Sequence, residues 1–167
     1  MRKPFLCLVA ALASCALAEH DFGLQQEVDE FTRETSCSHL VINSTYDRSG
    51  ISLFAGSEYS EPVIAFTRHL DSIADSVFNM FIVMPDDRVF VRFPSTDEVF
   101  QFTPVSTGVE DTYEVALIQD QDLIFAVLSS PTEIRVRFDG SNGTADFTID
   151  HDVILALAAG FGKTCLR

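Results

Sequence analysis

Apolar and polar positions trade places along this chain with a period that changes from segment to segment. The sharpest change lies in Val77–Phe93, Val-Phe-Asn-Met-Phe-Ile-Val-Met-Pro-Asp-Asp-Arg-Val-Phe-Val-Arg-Phe. Phe78–Met84 is apolar at nearly every position, as in a strand buried on both faces. Pro85 lacks an amide donor, and with Asp86 and Asp87 it predicts a break and a turn. Arg88–Phe93 then alternates. Val89, Val91 and Phe93 fall on one face, Arg88 and Arg92 on the other. Two such strands cannot bury their apolar faces alone and need a second sheet.

Similar short segments recur on both sides. Leu40–Ile42, Pro62–Phe66, Val99–Phe102 and Tyr113–Ile118 read as strands, and Leu123–Leu128 is a continuous apolar run. Ile134, Val136 and Phe138 oppose Arg135 and Arg137. After Asp139–Gly143, a strong loop signal, Ala145, Phe147 and Ile149 oppose Asp146, Thr148 and Asp150. This is the clearest hairpin in the chain. Ser49-Gly50, Gly56-Ser57, Pro94–Asp97 and Ser129-Ser130-Pro131 punctuate as turns. Thr103–Asp111 reads as a polar loop containing Pro104 and Gly108. Asp120 and Asp122 flank a turn. His69–Val77 has a helical look. No internal repeat is present.

The two ends differ from this texture. Met1–Ala18 opens with Arg2 and Lys3, continues through the apolar Phe5–Ala13, and ends in the small-x-small triplet Ala16-Leu17-Ala18. That is the build of a secretory signal peptide; a buried N-terminal helix is the competing reading. Glu19–Ser36 is an acidic segment with Leu24, Val28 and Phe31 at helical spacing, which reads as a short amphipathic helix or, equally, as a frayed leader. Residues 37–151 form the expected sandwich domain. Val153–Phe161 is apolar but too short to cross a membrane. It reads as a terminal strand or helix in a C-terminal segment, 152–167. The fold class expected is all-β: an antiparallel sandwich with a short N-terminal helix.

Charge narrows the partners. The chain has 11 Lys+Arg against 25 Asp+Glu, a formal net charge of −14. Loss of Arg2 and Lys3 with a leader leaves nine basic residues and a formal −16. Such a chain is repelled by nucleic acid and by anionic lipid. A leader also removes Cys7 and Cys15 and leaves Cys37 and Cys165 in an oxidising compartment. One reading is a single disulfide closing most of the domain, worth about 4–5 kcal/mol in the chain-entropy model. The other is two free or intermolecular thiols. Asn43-Ser44-Thr45 and Asn142-Gly143-Thr144 are N-glycosylation sequons, in keeping with a secreted, extracellular protein.

The order of the segments resembles a CUB domain, an extracellular β-sandwich module of jelly-roll winding. Ser49-Gly50-Ile51-Ser52 and Glu58-Tyr59-Ser60-Glu61-Pro62 look like the opening "SGxI…SPxYPxxYP" of such domains. Met80-x-Ile82-x-Met84-Pro85 with Val89-x-Val91-x-Phe93 is similar to their "CxWxIxxPxxxxVxLxF" core. Ser129-Ser130-Pro131, Ile134-x-Val136-x-Phe138-Asp139 and Ala145-Asp146-Phe147 look like the closing "SS…LxVxFxSD…GFxxxY". The likeness spans roughly Cys37–His151. Phe78 stands at the second family cysteine and Met80 at the family Trp, and the second disulfide pair is missing. The resemblance therefore implies a divergent, CUB-like domain, similar to nematode CUB-like secreted proteins, in which Cys165 is the only candidate partner for Cys37. It also implies a calcium site built from Glu98, Glu114 and Asp139, with Asn142 adjacent, since calcium takes hard oxygen ligands. Carboxylates on solvated loops are the bland alternative.

Other chemistry finds little support. Gly160-Phe161-Gly162-Lys163-Thr164 lacks the first glycine of a phosphate loop, because Leu157 holds that position. His20, His39, His69 and His151 show no metal spacing, and no G-x-S-x-G elbow exists. Asp86-Asp87 and Asp120-x-Asp122 sit at turns, where carboxylates are ordinarily solvated. Fifteen Phe and no Trp read as core filling. The expectation is a secreted, non-catalytic binding module of extracellular defence or matrix, without a resident cofactor beyond the calcium. Its partner is an extracellular protein or glycan, with no nucleic acid and no membrane span. The alternative is a carrier of a small apolar ligand in the Phe-rich interior.

Overall fold

The alternation marking Arg88–Phe93 and Ile134–Phe138 becomes two neighbouring strands, with every predicted inward residue buried and every predicted outward arginine exposed. The computed structural model describes residues 21–28, 35–42, 48–56, 59, 61–70, 84–110, 113–140 and 143–164. In chain order the elements are β1 (Asp21–Val28), β2 (Thr35–Ile42), β3 (Gly50–Ala55), β4 (Val63–His69), β5 (Arg88–Phe93), β6 (Glu98–Phe102), β7 (Ser106–Glu110), β8 (Tyr113–Ile118), α1 (Gln121–Leu128), β9 (Ile134–Gly140), β10 (Gly143–Ile149) and α2 (His151–Thr164).

The strands form two antiparallel sheets. One has six strands in the order β1-β2-β3-β4-β8-β7, the other four in the order β10-β9-β5-β6. The chain passes from the larger sheet to the smaller after β4, returns for β7 and β8, and crosses again for β9 and β10. Side chains from both sheets meet in one apolar cluster. Val41, Ile51, Leu53, Ile64, Phe66, Ala116 and Ile118 come from the larger sheet; Val89, Val91, Phe93, Val136, Phe138, Phe147 and Ile149 come from the smaller. Each set lies two residues apart along its strand, the spacing that places it on one face. The rings meet mostly edge to face, Phe138 on Phe147 at 5.0 Å and Phe93 on Phe100 at 5.6 Å, the geometry that the ring quadrupole favours.

Three segments depart from the expectation. The amphipathic helix expected in Glu19–Ser36 is absent from Asp21–Val28, which is a strand paired with β2. An eight-residue helix is marginal in water, whereas pairing with β2 satisfies its backbone. The expected loop Thr103–Asp111 contains β7, an edge strand on β8. An edge strand can be held by its ladder alone, so its polar side chains gave no alternation to read. The expected turn flanked by Asp120 and Asp122 is instead the start of a helix that takes in the apolar run Leu123–Leu128. Asp120 has extended backbone, and its side chain accepts from the Leu123 amide at 2.7 Å. Asp120 is therefore the N-cap and Asp122 a first-turn acid. The expected signal peptide 1–18, all of the expected strand Phe78–Met84 except Met84, both sequon asparagines and Cys165 lie outside the described residues.

The C-terminal segment is α2. Val153, Ile154, Leu157 and Phe161 make its buried stripe, at the spacing of a 3.6-residue turn. It packs across β1, β2 and β3 and against α1. At Gly160 the helix approaches β2 so closely that a Cβ would lie 2.2 Å from the His39 ring. Only glycine permits this contact. Cys37, two residues from His39, is buried in the same cluster as Phe161. No helix of at least 18 residues among those described is apolar enough to cross a membrane.

Candidate functional site

The two sheets treat their outer faces differently. On the larger sheet Val63, Ala65, Val115 and Leu117, facing away from the main core, are buried in a second cluster with Phe54 and Tyr59. On the smaller sheet the outer face is open. Register assigns its residues to three rows. Thr148, Arg135, Arg92 and Val99 form the first, Asp146, Arg137, Phe90 and Gln101 the second, and Thr144, Asp139 and Arg88 the third. Rows are about 6.8 Å apart, two residues along a strand. Four of the chain's 11 basic residues thus share one face of a protein whose net charge is −14.

The electrostatics of this face are specific. Arg137 holds Asp146 through both carboxylate oxygens, at 2.6 and 2.8 Å. That hydrogen bond lowers the Asp146 carboxyl below its ordinary pKa and raises the Arg137 guanidinium. Arg92 reaches Asp97 at 2.5 Å, and Arg135 lies 3.4 Å from Glu133. Both pairs are exposed, and such pairs add about 0–1 kcal/mol. Arg88 has no ion pair among the described residues. Arg92 and Arg135 are direct cross-strand partners, a like-charge arrangement that costs stability. Half-buried Phe90 lies amid the cations, and Val99 is exposed beside them. A groove of about 550 Å³ runs over this surface, lined among others by Phe90, Arg92, Arg135, Arg137, Asp139 and Asp146.

The calcium residues implied by the family resemblance are not brought together. Glu98 starts β6 opposite Phe93, whereas Asp139 is opposite Arg88 at the other end of β5. Five residues of strand separate those positions, about 17 Å. Glu114 lies on the other sheet, wholly buried, with the Arg68 Nε 2.5 Å from its Oε2. Asn142 and Asn43 lie outside the described residues. No group of three or more His, Cys, Asp or Glu able to hold a metal occurs among the described residues. Asp139 alone of the expected ligands lies in the groove.

The remaining candidates go elsewhere. His39 is buried between β2 and α2, His69 meets Tyr113 edge on at 5.1 Å, and His151 begins α2. Burial raises the Tyr113 phenol, with Arg48 opposing it. Gly160–Thr164 is the end of a helix, not a loop around phosphate. The arginine face escaped the sequence reading as a site. Its signal was the outward alternation of Arg88, Arg92, Arg135 and Arg137, but a pattern along one strand does not say which strand lies beside it. Comparisons with family models, curated proteins and solved structures find no match to this chain.

Proposed function

We propose that this chain is a secreted, non-catalytic binding module whose recognition surface is the open face of the four-stranded sheet. One observation carries the reading. Arg92 and Arg135 stand side by side across β5 and β9, at a cost to stability, in a groove open to solvent. Asp97 and Glu133 each pair with one of the two, and an anionic group seated between them removes the repulsion that remains. Asp139, one of the calcium ligands that the resemblance implies, shares the groove. The divergent CUB-like kinship and jelly-roll winding belong to the same proposal and rest on the motif positions. Pairing of Cys37 with Cys165 belongs to it too. The helix ending at Thr164 lies against β2 near His39, and Cys37 is two strand residues away.

The test is retention of material from extracellular fluid or matrix extract by the immobilised protein, wild type against Arg92→Gln/Arg135→Gln. Material held by the wild type and released by the folded variant supports the reading. Equal retention removes the face from recognition, and turnover in a broad hydrolase screen removes the non-catalytic assignment. A non-reducing peptide map showing a Cys37–Cys165 cross-link supports the disulfide; any other partner for Cys37 ends that part.

A further inference from the structure

Taking the open face as the recognition surface, we infer that its ligand is an acidic oligosaccharide. A carboxylate or sulfate sits between Arg92 and Arg135, and sugar hydroxyls donate to Asp139. The inference rests on the proposed function above and adds the chemical class.

The guanidinium is planar and presents paired donors that match an oxyanion. Arg135 is the more available of the two, because its contact with Glu133 is long and exposed. Arg92 is held only by exposed Asp97. An arriving oxyanion displaces Glu133 from Arg135 more readily than it displaces Asp97, 2.5 Å away, from Arg92. The rest of the face suits a sugar chain. Asp139 supplies carboxylate acceptors; Thr148, Thr144 and Gln101 are polar side chains that both donate and accept. Half-buried Phe90 offers an apolar patch between the rows. From the Arg92/Arg135 row to the Asp139 row is about 14 Å, four residues of strand. That exceeds one pyranose ring, so the ligand has several sugars. The groove volume of about 550 Å³ lies within the usual range for bound ligands, about 300–1,000 Å³.

A peptide strand fits less well. It binds by adding its backbone to a sheet edge, whereas this is a sheet face whose backbone groups are already paired in the ladders. The chain's net charge does not prevent anion binding at close range, since exposed charges farther than about 8 Å are largely screened at physiological salt. The neighbouring acids do limit the charge the face accepts, and they favour a ligand with widely spaced anionic groups.

The experiment is calorimetric titration of the whole secreted chain with four probes: a hyaluronan tetrasaccharide (carboxylate), a heparin-derived tetrasaccharide (sulfate and carboxylate), neutral chitotetraose, and hexaglutamate. At least one acidic tetrasaccharide binds, more weakly as salt rises, and chitotetraose binds at least about tenfold less tightly. Arg135→Gln weakens the acidic sugar by about tenfold or more, a loss in keeping with a hydrogen bond to a charged group, while its melting midpoint is unchanged or higher. Arg92→Gln is the independent second variant. Comparison of the two acidic sugars tells which oxyanion is preferred. The inference is overturned if neither acidic sugar binds the folded wild type, if both variants bind as the wild type does, or if hexaglutamate binds more tightly than either sugar. If the sugars fail but the double variant still loses retained material from extracellular fluid, the glycan falls and the recognition face stands. If that retention is also unchanged, both fall.

Discussion

Replacing Gly160 with alanine tests whether α2 is docked on β2 as described. The added Cβ would lie 2.2 Å from His39 Cε1, 2.4 Å from Nδ1 and 3.3 Å from Nε2. Comfortable carbon contacts begin near 3.5 Å, so the overlap exceeds an ångström. The His39 ring cannot swing into solvent, because the residue is 2 % exposed. Overpacking of this kind costs about 1–3 kcal/mol. Alanine is the better helix former, by about 1 kcal/mol. The net expectation is a loss of up to about 2 kcal/mol, with roughly 2–4 °C in melting midpoint for each kcal/mol in a domain of this size. Circular dichroism melts with urea titrations measure it. His39→Ala alone opens a cavity and destabilises. In the His39→Ala background, Gly160→Ala becomes neutral or stabilising, because the ring is gone and the propensity gain remains. The double-mutant cycle then shows a coupling above about 1 kcal/mol. A Gly160→Ala protein as stable as wild type, with the two changes additive, would refute the contact.

Three further outcomes follow from the same geometry. Glu114→Gln leaves Arg68 beside a neutral amide and lowers stability by about 2–3 kcal/mol in urea titration, below the full cost of breaking a buried pair because Arg68 is 19 % exposed; a loss under about 0.5 kcal/mol would contradict the pairing. Asp120→Ala removes the cap of α1 and costs about 1 kcal/mol by thermal melt, whereas no change would mean that the cap is not used. The Asp146 carboxyl, followed by carbon-detected NMR, titrates below the ordinary aspartate value, and Arg137→Gln returns it there. Since the folded pKa is depressed, the pair's contribution is present above the unfolded pKa and is lost as pH falls through the folded one. That contribution is small, because both groups are exposed and screened by solvent. An Asp146 titration unaltered by Arg137→Gln would exclude the pair in solution.

Strand identity was written into the chain wherever one face is buried and the other wet. Val89, Val91 and Phe93 against Arg88 and Arg92, and Ile134, Val136 and Phe138 against Arg135 and Arg137, appear in the structure as the sequence predicts. Such alternation is local: the side-chain period of a strand is two, and water and core sort the faces. β1, β7 and α1 were hidden for reasons equally physical. The edge strand β7 is held by backbone pairing that its side chains do not advertise, and β1 carried an apolar spacing that also fits a helix. A continuous apolar run does not distinguish helix from strand without its cap. Glu114 looked like a surface carboxylate and is a buried partner of Arg68, because β4 lies beside β8 across 46 residues of chain. Arg92 meets Arg135 for the same reason. Which residue stands beside another across a sheet depends on long-range pairing and register, and these are set when all the strands collapse onto one core, not by any segment read alone.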